Sequence, residues 1–165
     1  MPDEMSQTAT FRANLRKIGQ RGLPFDLCFL ARQLPLAAAL AAALPDQTFV
    51  LDHCGVPDIT GGTFAPWAAA MTDLARRPNL QVKLSGIVAC CAPSSAYLQT
   101  LRPWVDHVLA TFGPARMVLG SDWPVVLLGT GLPDWLRLTA ALLADLSPDE
   151  QAQIGHLTAR RIYRV

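Results

Sequence analysis

Thr48-Phe49-Val50-Leu51-Asp52-His53-Cys54-Gly55 decides the fold. A short aromatic, β-branched and aliphatic run stops abruptly on an aspartate, a histidine and a glycine. A run that is apolar without alternation marks a buried strand of a parallel sheet, whereas a half-exposed antiparallel strand alternates. The pattern recurs on both sides. Upstream lies Phe25-Asp26-Leu27-Cys28-Phe29-Leu30. Downstream, Leu80 to Leu84 closes on Ser85-Gly86, and Met117-Val118-Leu119 closes on Gly120-Ser121-Asp122-Trp123-Pro124. Between these strands, Leu34 to Leu44, Phe64 to Arg76 and Tyr97 to Phe112 have helical periodicity, the last with Pro103 opening its main part. Thr8 to Gln20 is a helix ahead of the first strand, stopped by Gly22 and Pro24, and Pro133 to Leu143 is a helix after the last. Ser147-Pro148-Asp149-Glu150 is a capping box that starts a helix to about Gly155, and a short turn carrying Ile162 and Tyr163 follows. Strands alternating with helices at spacings of about 20 to 30 residues predict an α/β fold of right-handed βαβ crossovers.

Composition narrows the function classes. Of 165 residues, 51% are hydrophobic and 16% charged, which suits one domain with a real core and excludes a disordered chain. The net charge is +1. Arg76-Arg77 and Arg160-Arg161 are short pairs at helix ends, and no basic stripe offers a nucleic-acid footprint. The apolar run Leu36 to Leu44 is far shorter than the roughly 20 residues of a bilayer span. Met1-Pro2-Asp3-Glu4 has no signal-peptide character, so the expected location is cytoplasmic. Cys28, Cys54, Cys90 and Cys91 form no CxxC pair. They are expected as reduced thiols packed like small apolar groups, with a zinc or redox site as the alternative.

In parallel α/β architectures the chemistry sits at the carboxyl ends of the strands. His53 lies there, where an imidazole can bind a metal or donate a proton to a carbonyl; the alternative is a histidine tied to the loop backbone. Asp122 lies there too, placed to take a proton from water or to ligate a metal; the alternative is a turn or cap role, which suits Ser121 better. Lys83 interrupts a buried strand, and a buried ammonium requires a partner, for which Asp52 is the candidate by position. Lys83 and Trp123 are the expected substrate-binding residues. His107 is expected on a helix surface and His156 in a structural role. Gly61-Gly62 and Gly129-Thr130-Gly131 lack the flanks of a phosphate loop, and no GxSxG elbow occurs.

These blocks, taken in order, resemble the amidohydrolase-related group that contains the sugar-lactone and pyrone-dicarboxylate lactonases. The likeness is carried by Phe25 to Cys28, by Phe49 to Gly55 with Pro57-Asp58-Ile59, and by Val82 to Gly86. It continues through Leu101 to Leu109, Gly120 to Val125 and Thr158 to Tyr163, and so runs from about Phe11 onward. The resemblance implies a (β/α)8 barrel in which these four strands are the fifth to eighth. It implies that His53 is the active-site histidine of the sixth strand and Asp122 the water-activating aspartate of the eighth. The implied reaction is attack on a lactone or related carbonyl, and the implied partner a lactone-like small molecule, with neither nucleic acid nor membrane. Family members begin with a His-x-His pair that is absent here, and no room for strands one to four precedes Phe25. Val56 stands where lysine is common, and Ala89-Cys90-Cys91 replaces a more polar loop.

The expectation is a single amidohydrolase-related domain over 1–165, a partial (β/α)8 barrel truncated at its amino-terminal side and inactive alone. Catalytic zinc normally has three protein ligands, so no cofactor is expected in this chain by itself. In a complete barrel, His53 and Asp122 are the implied ligands of a divalent metal such as zinc. Half a barrel leaves open strand edges and an apolar inner face, which predicts self-association. The competing readings are a metal-requiring decarboxylase of the same superfamily, a non-catalytic truncated remnant, and a small doubly wound binding domain with its crevice where strand order reverses.

Overall fold

The computed structural model describes residues 3–92 and 97–165. Met1 and Pro2, and Pro93 at the end of the expected loop, lie outside the described residues. Four strands form one parallel sheet in the order β1 (Phe25–Leu27), β2 (Phe49–Leu51), β3 (Leu80–Leu84), β4 (Met117–Leu119). The register aligns Phe25 with Phe49, Phe49 with Leu80, and Val82 with Met117. α1 (Ala9–Gly19) precedes the sheet, and α2 (Leu34–Ala43), α3 (Phe64–Ala75) and α4 (Tyr97–Phe112) are its crossovers. α5 (Leu132–Leu142) and α6 (Pro148–Ala152) follow β4. The strand order never reverses, so the crevice of a doubly wound domain does not form, and that reading is corrected.

Side chains of a strand alternate between faces. Phe25 and Leu27, Phe49 and Leu51, Leu80, Val82 and Leu84, and Met117 and Leu119 all meet the helices in one large core with Leu40, Trp67, Leu74, Trp104 and Trp135. The residues between them, Asp26, Val50, Gln81, Lys83 and Val118, belong to the second face. This face is not the apolar surface expected. Val50 and Val118 are covered by Ile162, while Asp26 and Lys83 are paired and Gln81 is buried with its Oε1 unpartnered. The strands look continuously apolar because each is only three to five residues long, so a single central charge hardly marks the alternation.

The carboxy-terminal segment differs from expectation. Ser147 Oγ accepts from Glu150 N and the Glu150 carboxylate accepts from Ser147 N, the predicted box. The helix does not end at Gly155, however. It passes through a π-helical stretch, Gln153–Leu157, into α7 (Thr158–Tyr163). Thr158 Oγ1 and Arg161 Nη2 donate to the carbonyl of Ala115, holding this segment beside β4 at 3.3 and 2.7 Å. In α4, Pro103 lies inside the helix rather than at its opening. It is exposed, and so is Gln99, whose carbonyl cannot receive the usual helical hydrogen bond because proline has no N–H.

Two further expectations change. His107 is not on a helix surface. It is half-buried between α3 and α4, with Nε2 2.9 Å from the Ala68 carbonyl and its ring against Phe64 and Trp67. His156 is exposed on the π-helical stretch. Cys54 is a buried thiol as expected, but Cys28 is exposed. No helix among the described residues is long and apolar enough to cross a membrane.

Candidate active site at the strand ends

The turn after β2 is strained. Asp52–Gly55 forms a 3₁₀ turn in which His53 and Cys54 have φ of 54° and 51°, and Val56 follows at 44°. After β4, Asp122 has φ 53°. Left-handed backbone costs a non-glycine residue on the order of 1–3 kcal/mol and persists only where the surroundings impose it. Here two indoles do so. Trp67 Nε1 donates to the Cys54 carbonyl and Trp135 Nε1 to the Gly120 carbonyl, both at 2.9 Å, and both side chains are buried. Cys54 Sγ also donates to the Lys83 carbonyl, tying the turn to β3. Ser121 Oγ accepts from Trp123 N, the turn role its sequence position suggested.

These turns bring His53 and Asp122 together. His53 Nδ1 lies 3.8 Å from Asp122 Oδ2 and 2.9 Å from Ser85 Oγ, and Ser85 is buried. Both side chains lie against the backbone of Gly86, which has φ 65°. A Cβ at that position would stand 2.5 Å from His53 Nδ1 and 2.7 Å from Asp122 Oδ2, so glycine is what allows the approach.

Below them, Lys83 Nζ donates to Asp26 Oδ2 and Asp52 Oδ1, both at 2.6 Å. Burial works against the ammonium charge. The hydrogen bonds that Lys83 donates to Asp26 and Asp52 outweigh it and hold the Lys83 pKa above its ordinary value. Tyr163 OH donates to Asp26 at 2.9 Å, and burial together with that bond pushes the phenol up to about 12. Asp52 is the partner expected for Lys83, and Asp26 is a second one. A cleft of about 590 Å3 joins His53, Ser85 and Asp122 to Asp26, Lys83 and Tyr163. Trp123, 66% exposed, stands outside that lining.

Asp26, Gly86, Tyr163 and the two tryptophan latches were missed in the sequence. Asp26 carries the same signal as Lys83, a charge in the middle of an apolar strand, and the two could have been paired on that basis. The latches leave no local signal, because Trp135 is fifteen residues from the carbonyl it holds.

The donors suit a metal as well as proton transfer. His53 and Asp122 offer one nitrogen and one carboxylate. Cys28, Asp52 and a nitrogen of His53 have ligand atoms within 4.8 Å of one another, a sulfur, nitrogen and oxygen set of the kind zinc accepts.

The chain is similar to known proteins along its whole length. The family profile described as Amidohydrolase matches residues 1–165. An L-fucono-1,5-lactonase of Burkholderia ambifaria is 35% identical over 147 residues, covering 87% of this chain and 50% of the relative. An amidohydrolase of Burkholderia multivorans solved with bound zinc is 29% identical, with TM-score 0.94 over 99% of this chain and 60% of that one. A putative 2-pyrone-4,6-dicarboxylic acid hydrolase of Pseudomonas putida is 25% identical, with TM-score 0.77 over 99% of this chain and 59% of that one. A 5-carboxyvanillate decarboxylase of Sphingomonas paucimobilis, 15% identical with TM-score 0.63, shares the fold alone. The chain spans about half the length of the curated relatives it matches. On a profile match over its whole length and a parallel sheet with helices on its outer face, the chain belongs to the amidohydrolase family.

Proposed function

We propose that this chain supplies the carboxy-terminal half, strands five to eight, of a (β/α)8-barrel lactonase, as one domain over 1–165. In this reading Asp122 takes a proton from water as the water oxygen bonds to the lactone carbonyl carbon. His53, fixed by Ser85, donates a hydrogen bond to the carbonyl oxygen. The ring C–O bond then breaks, the leaving oxygen takes the proton back from Asp122, and a hydroxy acid is released. The observation that carries the reading is the close placement of His53 and Asp122 across Gly86, on left-handed residues at the ends of β2 and β4. The lactonase relatives support the substrate class, whereas the decarboxylase likeness rests on fold alone. A zinc ion held by His53 and Asp122 with donors from the other half would polarise the carbonyl. Lys83 and Trp123 are the proposed substrate contacts, Lys83 as the floor of the cleft and Trp123 at its rim. Lys83 is already paired with Asp26 and Asp52, so it acts on a substrate through that network rather than as a free cation.

The test is a chimera that joins the first four strands of the Burkholderia lactonase to this chain, assayed on a panel of sugar-acid lactones beside the chain alone. The expected result is turnover by the chimera only, falling about 100-fold or more with Asp122→Asn, the scale of a lost general base. Unchanged turnover in that variant removes Asp122 from its role. Hydrolysis by the unfused chain would overturn the half-site reading. A folded chimera inert on every lactone would favour the non-catalytic remnant.

A further inference from the structure

We propose that Cys90 and Cys91 are a redox-modification site, a pair that closes reversibly into a disulfide between neighbouring residues and thereby loosens the turn at Gly86. The thiols lie at the end of the 3₁₀ turn Ile87–Cys90, and Cys91 just beyond it is already extended, with φ -132° and ψ 157°. Both sulfurs fold back on that same turn. Cys90 Sγ donates to the Gly86 carbonyl at 3.6 Å and Cys91 Sγ to the Val88 carbonyl at 3.5 Å. Both residues are half-buried, so a small oxidant in water reaches them, unlike the buried Cys54. Neither has a part in the proposed hydrolysis, so the site stands or falls independently of it.

Spacing sets the character of the bond. Neighbouring Cα atoms stand about 3.8 Å apart across a trans peptide, below the roughly 4.4–6.8 Å of ordinary disulfides. The closed ring is therefore strained, and strained or exposed disulfides are the readily reduced ones. Closure orders almost no chain, and each cysteine is the resolving partner of the other. Burial pushes the Cys90 thiol up to about 11, with Cys91 beside it adding to the rise, and burial raises Cys91 as well. The pair is thus protonated and reduced at neutral pH, and its reaction quickens as pH rises. A thiolate of the pair attacks a low-molecular-weight disulfide such as oxidised glutathione, and one glutathione thiolate leaves. The neighbouring thiol gives its proton to solvent and attacks the protein sulfur of the mixed disulfide, and the second glutathione leaves. Two cysteines lose two electrons and two protons, and the reagent ends as two thiols. Both S–H donors to the turn are lost, and the ring draws Cys91 toward Cys90. The Val88 carbonyl lies against Gly129, where a Cβ would stand 2.8 Å away, so the turn has little slack on that side. The strain falls on the bond from Ala89 N to the Gly86 carbonyl, 3.0 Å long.

The experiment treats the full chain carrying Cys28→Ser, which removes the exposed thiol, with oxidised glutathione at mildly alkaline pH after prior reduction. Peptide mapping after alkylation should give a peptide holding Cys90 and Cys91 that is unalkylated and lighter by two hydrogens, restored by dithiothreitol, with Cys54 still free. Cys90→Ser and Cys91→Ser in that background should each accumulate the mixed disulfide at the remaining cysteine at least tenfold over the parent. On oxidation of the parent, hydrogen exchange at the Ala89 amide should quicken at least tenfold. A folded parent in which Cys90 and Cys91 stay alkylatable or glutathione-bound would overturn the site, and so would a bridge from either to Cys54. Single variants that hold no more glutathione than the parent would overturn the stepwise closure. An oxidised parent with unchanged Ala89 exchange would overturn the loosening of the turn.

Discussion

Tyr163 is the residue at which the carboxy-terminal helix meets the cleft, and its chemistry gives a pH signature. Its hydroxyl donates to Asp26, which also receives Lys83, so the phenol and the ammonium hold one carboxylate between them. The protonated forms of both are the ones bound. Burial and the bond to Asp26 raise Tyr163 to about 12, and the carboxylates raise Lys83 as well. The unfolded chain titrates these groups near 10 to 10.4. A group whose pKa is higher when folded contributes fully below the unfolded value and loses that contribution as pH rises through the folded one. Stability from this network is therefore intact below about pH 10 and decays toward pH 12. The chain has two tyrosines, Tyr97 and Tyr163. Spectroscopic titration of tyrosinate should show a component near pH 12, and Tyr163→Phe should remove it and flatten the alkaline loss of thermal stability. A late component that persists in Tyr163→Phe would show that the phenol does not sit on Asp26.

Each strand–helix unit is tied by a side chain from another part of the chain. Asn79 Nδ2, just before β3, donates to the carbonyls of Ala41 and Leu44 at the end of α2. Arg116, just before β4, donates to the carbonyl of Ala75 at the end of α3. At the opposite pole the indoles of Trp67 and Trp135 hold the turns that carry His53 and Asp122. Trp135→Phe keeps most of the buried ring and deletes the donor, leaving the Gly120 carbonyl unpaired. The expected loss is about 1–3 kcal/mol of unfolding free energy. Earlier proteolysis in the turn after β4 should accompany it. Urea denaturation and limited proteolysis measure the two, and wild-type values in both would show that the turn does not depend on this bond. These ties also explain what could be read from sequence. The strands at Phe49 and Leu80 and the helices between them were legible because apolar periodicity is local. His53 and Asp122 were legible because an apolar run that stops on a polar residue marks a strand end. The helical continuation past Gly155 was not, since glycine there is held by contacts of Thr158 and Arg161 with Ala115. Nor was Gly86, whose role depends on two side chains from distant turns approaching its backbone.

Over the whole molecule the two faces of the sheet are unequal. One is sealed by α1 to α5 around a continuous core. The other mixes the Asp26–Lys83–Asp52 network and Gln81 with two valines, and among the described residues the carboxy-terminal helix lies on it, through Ile162 and Tyr163. A partner for that face must answer charge with charge, a requirement that nonspecific apolar contact does not meet and that the other half of the proposed barrel would have to meet. The exposed apolar surface is elsewhere. Trp123, Leu127 and Leu128, 66%, 61% and 75% exposed, are close in sequence in the loop after β4. Among the described residues β1 pairs with β2 alone, so its outer edge offers unpaired backbone groups as well. Apolar patches and open strand edges both drive association. The chain alone should therefore self-associate with increasing concentration in sedimentation velocity, and Leu127→Glu with Leu128→Glu should shift it toward monomer without changing its circular dichroism. If association proceeds through the polar second face instead, high salt will weaken it and the paired glutamates will not. A wild-type chain that stays monodisperse across the whole concentration range, with a sharp two-state melt, would show that the loop and the β1 edge are tolerated in water and that the sheet needs no further cover.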